Sequence, residues 1–344
     1  VSDLDAAARG ACLRFLEASG IPGLAAALVR GDDFLFLAGL GVASLEHDLP
    51  VTADTAFEIA SVTKLFTAEA VLLLVQDGLI ELDTPLADHL ELPPGWRGVT
   101  VRHALTHQSG IRNYTLPPGY WERIREDRSA EEILALVADL PLDFEPGARY
   151  AYDNTGFYLL GLLIEAVTGE SYEDHLGRRV FAPLGMTTTR VNDYALPVRG
   201  RASGYSRVND RIVNKTYYST SNTFSAGVLL SSARDLATWA ASLGVGEGAR
   251  ALRERMWTPQ PSREGNERSL HFTVGLGWFL LDFGGRSYAG QNGSLQGFSS
   301  TLLHRLDQRL SAVVLYNGDW VEEPHRLALE LIGLADSESP GIRS

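Results

Sequence analysis

Lysine is almost absent from this chain. Of its 30 basic residues, all but Lys64 and Lys215 are arginine. Cysteine is scarcer still, with Cys12 alone. That excludes an intramolecular disulfide, a thiolate metal cage and a cysteine-held iron–sulfur cluster. No run is apolar for the roughly 18–20 residues that a membrane-spanning helix needs, so no membrane span is expected. The stretch "VLLLV" at 71–75 is far shorter. Basic clusters are missing too, and the net charge is −13. A nucleic-acid partner is therefore not expected, because phosphate recognition needs a basic face. The acidic excess is spread along the chain and reads as a contribution to solubility. No signal-peptide pattern is visible. The chain begins at Val1 without Met, which fits a mature exported form as well as a trimmed piece. Compartment and oligomeric state stay open.

What is present is ordinary globular composition, with 45% hydrophobic and 21% charged residues. A length of 344 residues suits one large domain or two interleaved ones. Residues 3–18 have helical spacing and end at "SGIPG", and 23–44 read as two strands around a "GDD" turn. From about 60 to 245 helical patterns dominate. "SVTKLFTAEAVLLLVQDG" stops at Gly78, "TVRHALTHQSG" has Thr100 as N-cap and Gly110 past its end, and "SAEEILALVADL" is capped by Ser129. "TGFYLLGLLIEAVTG" follows Asn154 as a strongly apolar helix. The C-terminal part changes period: three or four antiparallel strands with turns at "GG" and "LDQ", then a closing helix in "PHRLALELIGLA". The expected fold is α+β: an antiparallel sheet built from N- and C-terminal strands and flanked by helices, with a mostly helical inserted lobe. The expected division is 1–57 plus 265–344 for the sheet lobe and 58–264 for the helical lobe, with a site between them.

Ser61 and Lys64 open the helix at "SVTK". Side chains three apart share a helix face. A serine hydroxyl becomes a good nucleophile only when a base takes its proton. Lysine can be that base if burial or a nearby positive charge lowers its pKa, whereas arginine cannot give up its proton in a protein. With 25 serines and two lysines, a chance Ser-x-x-Lys pair is expected roughly 0.15 times in the chain. Alone, the pair fits a capping serine with a solvated lysine as well as a reaction centre. Tyr152 and Asn154 stand just before the apolar helix: a phenol can shuttle protons and an amide can hold a carbonyl. They could equally pack and cap. In "YAGQNGSLQGFSS", Gly293 would let a backbone approach a ligand, and the N–H of Ser294 could pair with that of Ser61 as an oxyanion hole. The same "QNGS" also carries the Asn-Gly signal of a hairpin turn.

Taken together and in order, Ser61-x-x-Lys64, Tyr152-x-Asn154 and Gln291-Asn292-Gly293 resemble the serine β-lactamase and penicillin-binding protein superfamily. The likeness is to its class C β-lactamase branch, with the related esterases, D-aminopeptidases and DD-peptidases. "FEIASVTKLFTA", "ALTHQSGI", "FEPGARYAYDNTGFYLLG", "LGMTTT", "SAGVLLSSARDLATW" and "GLGWFL" also resemble family segments, so the likeness runs from about residue 20 to 318. It implies that Ser61 is the nucleophile of an acyl-enzyme, that Lys64 assists its deprotonation and that Tyr152 is general base and proton shuttle. It further implies that Asn154 binds the substrate's amide or polar side group, that the N–H groups of Ser61 and Ser294 form the oxyanion hole, and that Gln291, Asn292 and Gly293 flank the substrate.

One departure matters. The family's third motif usually opens with lysine or histidine, which helps to bind a substrate carboxylate; here it opens with Gln291. A charge-assisted hydrogen bond is about twice as strong as a neutral one. Neutral esters and amides are therefore favoured over efficient penicillin hydrolysis. The expected function is a serine hydrolase acting on an ester, amide or β-lactam bond of a small-molecule or short-peptide acyl substrate. A DD-peptidase or D-aminopeptidase, or a catalytically weak penicillin-recognising protein, are the alternatives.

The remaining signals are weaker. His103 and His107 are four apart, but no third ligand at metal spacing accompanies them, so neither a metal nor another cofactor is expected. "GLGVAS" lacks the following helix of a dinucleotide site, and there is no G-x-S-x-G. Sequons at Asn113, Asn214 and Asn292 are read as chance. Two aromatic groups, Tyr114, Tyr120 and Trp121, then Tyr217, Tyr218 and Phe224, either line an apolar cleft or pack their loops.

Overall fold

The structure is a computed structural model describing residues 3–243, 247–264 and 272–337. Helix α1 (Asp3–Ser19) opens on Asp3 and Asp5, which complement the positive end of its dipole. Strands β1 (Gly23–Arg30) and β2 (Asp33–Ser44) form a hairpin, and the crossing segment carries β3 (Leu49–Pro50) and β4 (Phe57–Glu58). A single turn at Ala60–Val62 leads into α2 (Thr63–Gln76). Then come α3 (Val101–Leu105), α4 (Ala130–Ala135), α5 (Asn154–Thr168), α6 (Tyr172–Leu176) and β5 (Arg190–Val191). The hairpin β6 (Tyr205–Val208) and β7 (Arg211–Asn214) precedes β8 (Leu229–Ser231), α7 (Ala233–Ser242) and α8 (Glu247–Met256). The chain ends with β9 (Phe272–Val274), β10 (Phe279–Phe283), β11 (Arg286–Leu295), β12 (Phe298–Arg305), β13 (Leu310–Tyr316) and α9 (His325–Ser337).

The main sheet is antiparallel, in the order β3-β2-β1-β13-β12-β11-β10-β9. The two ends of the sequence meet in its middle, where Leu24 pairs with Tyr316 and Arg30 with Leu310. Alternate residues of β1 serve opposite faces. Leu24, Ala26 and Leu28 join Leu4, Ala8 and Cys12 of α1 and Leu327 and Leu331 of α9. Ala25, Ala27 and Val29 join Leu65 and Phe66 of α2 and Trp239 of α7. Burial on both faces explains why β1 is almost wholly apolar. Burial also pushes the Cys12 thiol up to about 12, so it packs as a small apolar residue. The α+β arrangement expected from the sequence is the one observed. Among the described residues no helix is long and apolar enough to cross a membrane. The lobe boundary expected at residue 265, and the ends 1–2 and 338–344, lie outside the described residues.

Three local differences bear on the site. Helix α3 has the expected Thr100 capping box but ends at Leu105, not near Gly110. His107, at φ 55°, lies in the left-handed region that breaks a helix. The cap of α5 is Asp153, which accepts from the N–H groups of Thr155 (2.7 Å) and Gly156 (3.0 Å), so Asn154 is not the cap. "QNGS" lies inside β11, and the turn comes later, at Gly297 with φ 81°.

Candidate active site

Ser61 sits in the single turn that precedes α2, and Lys64 lies in the first turn of α2 proper. The residue before the nucleophile, Ala60, is held at φ 49°. Left-handed backbone at a non-glycine costs on the order of 1–3 kcal/mol and persists only where the surroundings impose it. Here β11 and β12 are the surroundings. Ser300 Oγ donates to the Ile59 carbonyl at 2.7 Å, and a Cβ on Gly293 would stand 2.3 Å from that same oxygen. Only glycine lets the strand come this close. Phe279, the first residue of β10, pairs with Gly290, so Gln291–Leu295 run on past the end of β10. That strand edge faces the turn carrying Ser61.

Two side chains close on the Ser61 hydroxyl. Lys64 Nζ lies 3.2 Å from Ser61 Oγ, and the Tyr152 hydroxyl donates to the same oxygen at 2.8 Å. Lys64 also donates to the Ala226 carbonyl (2.7 Å) and to Asn154 Oδ1 (2.8 Å). These two oxygens can only accept. They occupy two N–H groups of a neutral amine and leave its lone pair facing the serine. Burial lowers the Lys64 pKa to about 7, against an opposing pull from Asp153. The same cause raises Tyr152 to about 12, so the phenol keeps its proton at neutral pH.

The rest of the setting holds these groups in place. Burial raises Asp153 to about 6, and its carboxylate also accepts from Ser109 Oγ at 2.8 Å. The Asp153 N–H donates to His107 Nδ1 at 3.1 Å, and burial lowers that imidazole to about 3, which keeps it neutral. The His107 ring lies against Tyr152, centroids 4.6 Å apart, and Phe279 stacks on the phenol at 6.3 Å. Asn154 Nδ2 donates to Asn113 Oδ1 at 3.3 Å.

Of the residues expected from the sequence, Ser61, Lys64, Tyr152, Asn154, Gln291 and Gly293 converge. Gln291 is buried beside Tyr152, and its polar side chain slightly opposes the upward push of burial on the phenol. The Asn292 side chain alternates to the other face of the strand, where its Oδ1 accepts from Thr301 Oγ1 at 2.9 Å. Ser294 stays on the strand edge, with its side chain exposed. His103 and His107 are taken up separately: His103 Nδ1 accepts from the Thr100 N–H in the cap of α3, and His107 braces Tyr152. Of the two aromatic groups, Tyr114, Tyr120 and Tyr218 are core residues, whereas Trp121 and Tyr217 are exposed. Phe224 packs on Tyr158 and Tyr172.

Sequence reasoning missed several contributors. Asn113, His107 and the Ala226 carbonyl carry no local signal, because each acts only through a residue far away in sequence. The second lysine was also missed. Glu58, three residues before Ser61, is buried and accepts from Tyr194 (2.7 Å), Tyr218 (2.6 Å) and Lys215. The Lys215 ammonium lies 4.9–5.0 Å from the ring centroids of Tyr194, Tyr218 and Phe298. Its rarity against 28 arginines was the available clue.

A serine flanked by a buried lysine and a tyrosine, at the edge of an antiparallel sheet, defines a class of acyl-transfer proteins with a serine nucleophile. The Beta-lactamase family model matches residues 10–337, and the chain belongs to that family. It is 27% identical to penicillin-binding protein 4* of Bacillus subtilis over 84% of this chain and 66% of that one. It is 29% identical to a D-aminopeptidase of Brucella anthropi over 92% of this chain and 60% of the relative. The chain thus spans only about 60–66% of the length of these curated relatives. A solved D-amino acid amidase from Ochrobactrum anthropi superposes with a TM-score of 0.83 at 28% identity, covering 97% of this chain and 100% of that one.

Proposed function

We propose that the protein is a serine hydrolase that works through an acyl-enzyme on Ser61 and acts on ester or amide bonds. The observation that carries this reading is the placement of Ser61 Oγ between Lys64 Nζ at 3.2 Å and Tyr152 Oη at 2.8 Å. Neutral Lys64 takes the hydroxyl proton as the Ser61 oxygen bonds to the carbonyl carbon. Tyr152, which the family resemblance implies as the general base, keeps its own proton at neutral pH because burial raises it to about 12, and serves instead as acid and proton shuttle. The oxyanion is held by the N–H groups of Ser61 and Ser294. The bond to the leaving group then breaks as Tyr152 gives it a proton, and the proton on Lys64 restores the phenol. Water repeats the cycle on the acyl-enzyme and releases the acid. Asn154 orients Lys64 through its oxygen and offers its remaining N–H to the substrate.

Similarity to a D-aminopeptidase and a D-amino acid amidase favours amides of D-residues as one substrate class. The uncharged Gln291 favours a second reading, a weak penicillin-recognising protein. We further take residues 58–264 as a helical lobe that supplies Ser61, Lys64 and Tyr152, facing a sheet lobe that supplies Gln291–Ser294.

Intact-mass spectrometry after incubation with a fluorophosphonate, and separately with a penicillin, tests the proposal. A single fluorophosphonate adduct that maps to Ser61 is expected. A stable penicillin adduct without turnover would favour the penicillin-recognising reading. No adduct from either reagent would sink the hydrolase.

A further inference from the structure

A cavity of about 320 Å³ lies between α2, the turns that follow α6, the end of α7 and the C-terminal half of α8. None of the residues that touch the Ser61 hydroxyl lines it. Its wall is aliphatic, made by Leu73, Val180, Leu184, Leu243, Leu252 and Met256. Set into this wall are one carboxyl group, Glu69, and two guanidinium groups, Arg179 and Arg253.

Two of these three groups lack a counter-ion. Glu69 stands one helical turn before Leu73 on α2. Its Oε2 accepts from Trp239 Nε1 at 2.6 Å. Trp239 is itself held by Phe66, ring centroids 4.3 Å apart, and by Trp278 at 5.8 Å, so the carboxyl group is fixed in place. Among the described residues no cation pairs with Glu69, and burial raises it to about 7. Half-buried Arg253 has its Cζ 5.5 Å from the Trp257 ring centroid, and no carboxylate among the described residues pairs with it. Arg179 differs, because Asp77 pairs with it at 2.5 Å.

The cavity therefore presents one unmatched charge of each sign, and the two do not pair with each other. Charges withdrawn from water are normally paired. A simple amine would satisfy Glu69 but would face two guanidinium groups. A simple acid would satisfy Arg253 but would face Glu69. A zwitterion supplies both partners at once. The volume is at the low end of the range for ligand pockets, about 300–1,000 Å³, which suits one small molecule. No aromatic ring lines the cavity, so the wall matches an aliphatic substituent.

We propose that this cavity binds a free aliphatic amino acid, with its ammonium group on Glu69 and its carboxylate on Arg253. The site is separate from the catalytic residues, and the inference does not depend on the hydrolase reading.

The test is isothermal titration calorimetry of the wild-type chain with leucine, as each enantiomer. Isoamylamine, which lacks the carboxylate, and isocaproate, which lacks the amine, are titrated beside it. One leucine per chain is expected, with each analogue at least about tenfold weaker, the scale of one hydrogen bond to a charged group. Glu69→Gln, which can still accept from Trp239, and Arg253→Gln are each expected to weaken leucine at least about tenfold, with native circular dichroism. The indole N–H resonance of Trp239, identified by its loss in Trp239→Phe, is expected to move as leucine is added to the wild type. No heat with either enantiomer at millimolar concentration would overturn the proposal. So would isoamylamine or isocaproate binding as tightly as leucine, or a Trp239 resonance that stays in place while leucine binds. Undiminished binding in both variants would put the amino acid elsewhere and overturn it as well.

Discussion

Lysine at position 64 differs from any arginine in this chain in one respect: it can be neutral near pH 7. Burial lowers its pKa to about 7, so below that pH it is protonated and cannot take the serine proton. On a neutral ester, kcat/KM is expected to rise tenfold per pH unit up to about 7 and then level off. Tyr152, raised to about 12, adds no alkaline limb below pH 10. A profile that is flat from pH 5 to 9 would contradict Lys64 as the base. Gln291→Lys should lower KM for carboxylate-bearing substrates several-fold, because the hydrogen bond becomes charge-assisted; an unchanged KM would argue against that role for position 291. The Ser61–Lys64 pair was legible because both residues lie within one helical turn. Asn113, His107 and Lys215 were not, because each reaches the site only once distant segments have packed.

At the scale of elements, the site depends on how closely β11 approaches the turn at Ala60–Val62. Gly293→Ala would place a methyl group 2.3 Å from the Ile59 carbonyl and push the strand away from Ser61. Displacement of about 1 Å can cost on the order of 100-fold in rate. That loss should appear in kcat/KM while circular dichroism keeps the native helix and strand content; full activity would remove the close approach from the account. The elements themselves were mostly readable. Thr100 and Ser129 cap α3 and α4 as their spacing suggests. The misreadings came from long-range contacts. Asn-Gly at 292–293 signals a hairpin locally, but pairing with β12 holds it extended. Helix α3 ends early because His107 leaves helical geometry and binds Asp153. Asp153 takes the cap of α5 and leaves Asn154 to face Lys64.

Across the whole molecule, the segment bearing Ser61 is fixed by parts of the chain far apart in sequence. Glu58 is tied to Lys215 beside β7, to Tyr194 and to Tyr218, while Phe298 of β12 covers the lysine. Lys215→Met would leave a buried carboxylate without its cation, a loss of about 3–5 kcal/mol. Urea denaturation should show it as a lower midpoint of one transition; an unchanged midpoint would mean that the pair contributes nothing. The sheet formed by the two ends of the sequence was legible from the change of hydrophobic period, but this tie was not, since no pattern links residues 58, 194 and 215. The central claim is that Ser61 is acylated with neutral Lys64 as its base. Its most direct test is the pre-steady-state burst on a p-nitrophenyl ester at pH 8, wild type against Lys64→Arg. The account predicts one equivalent of p-nitrophenol per enzyme in the wild type, and acylation slowed at least about 100-fold in the variant, which keeps the charge but cannot take a proton. A burst of the same rate in both would contradict it.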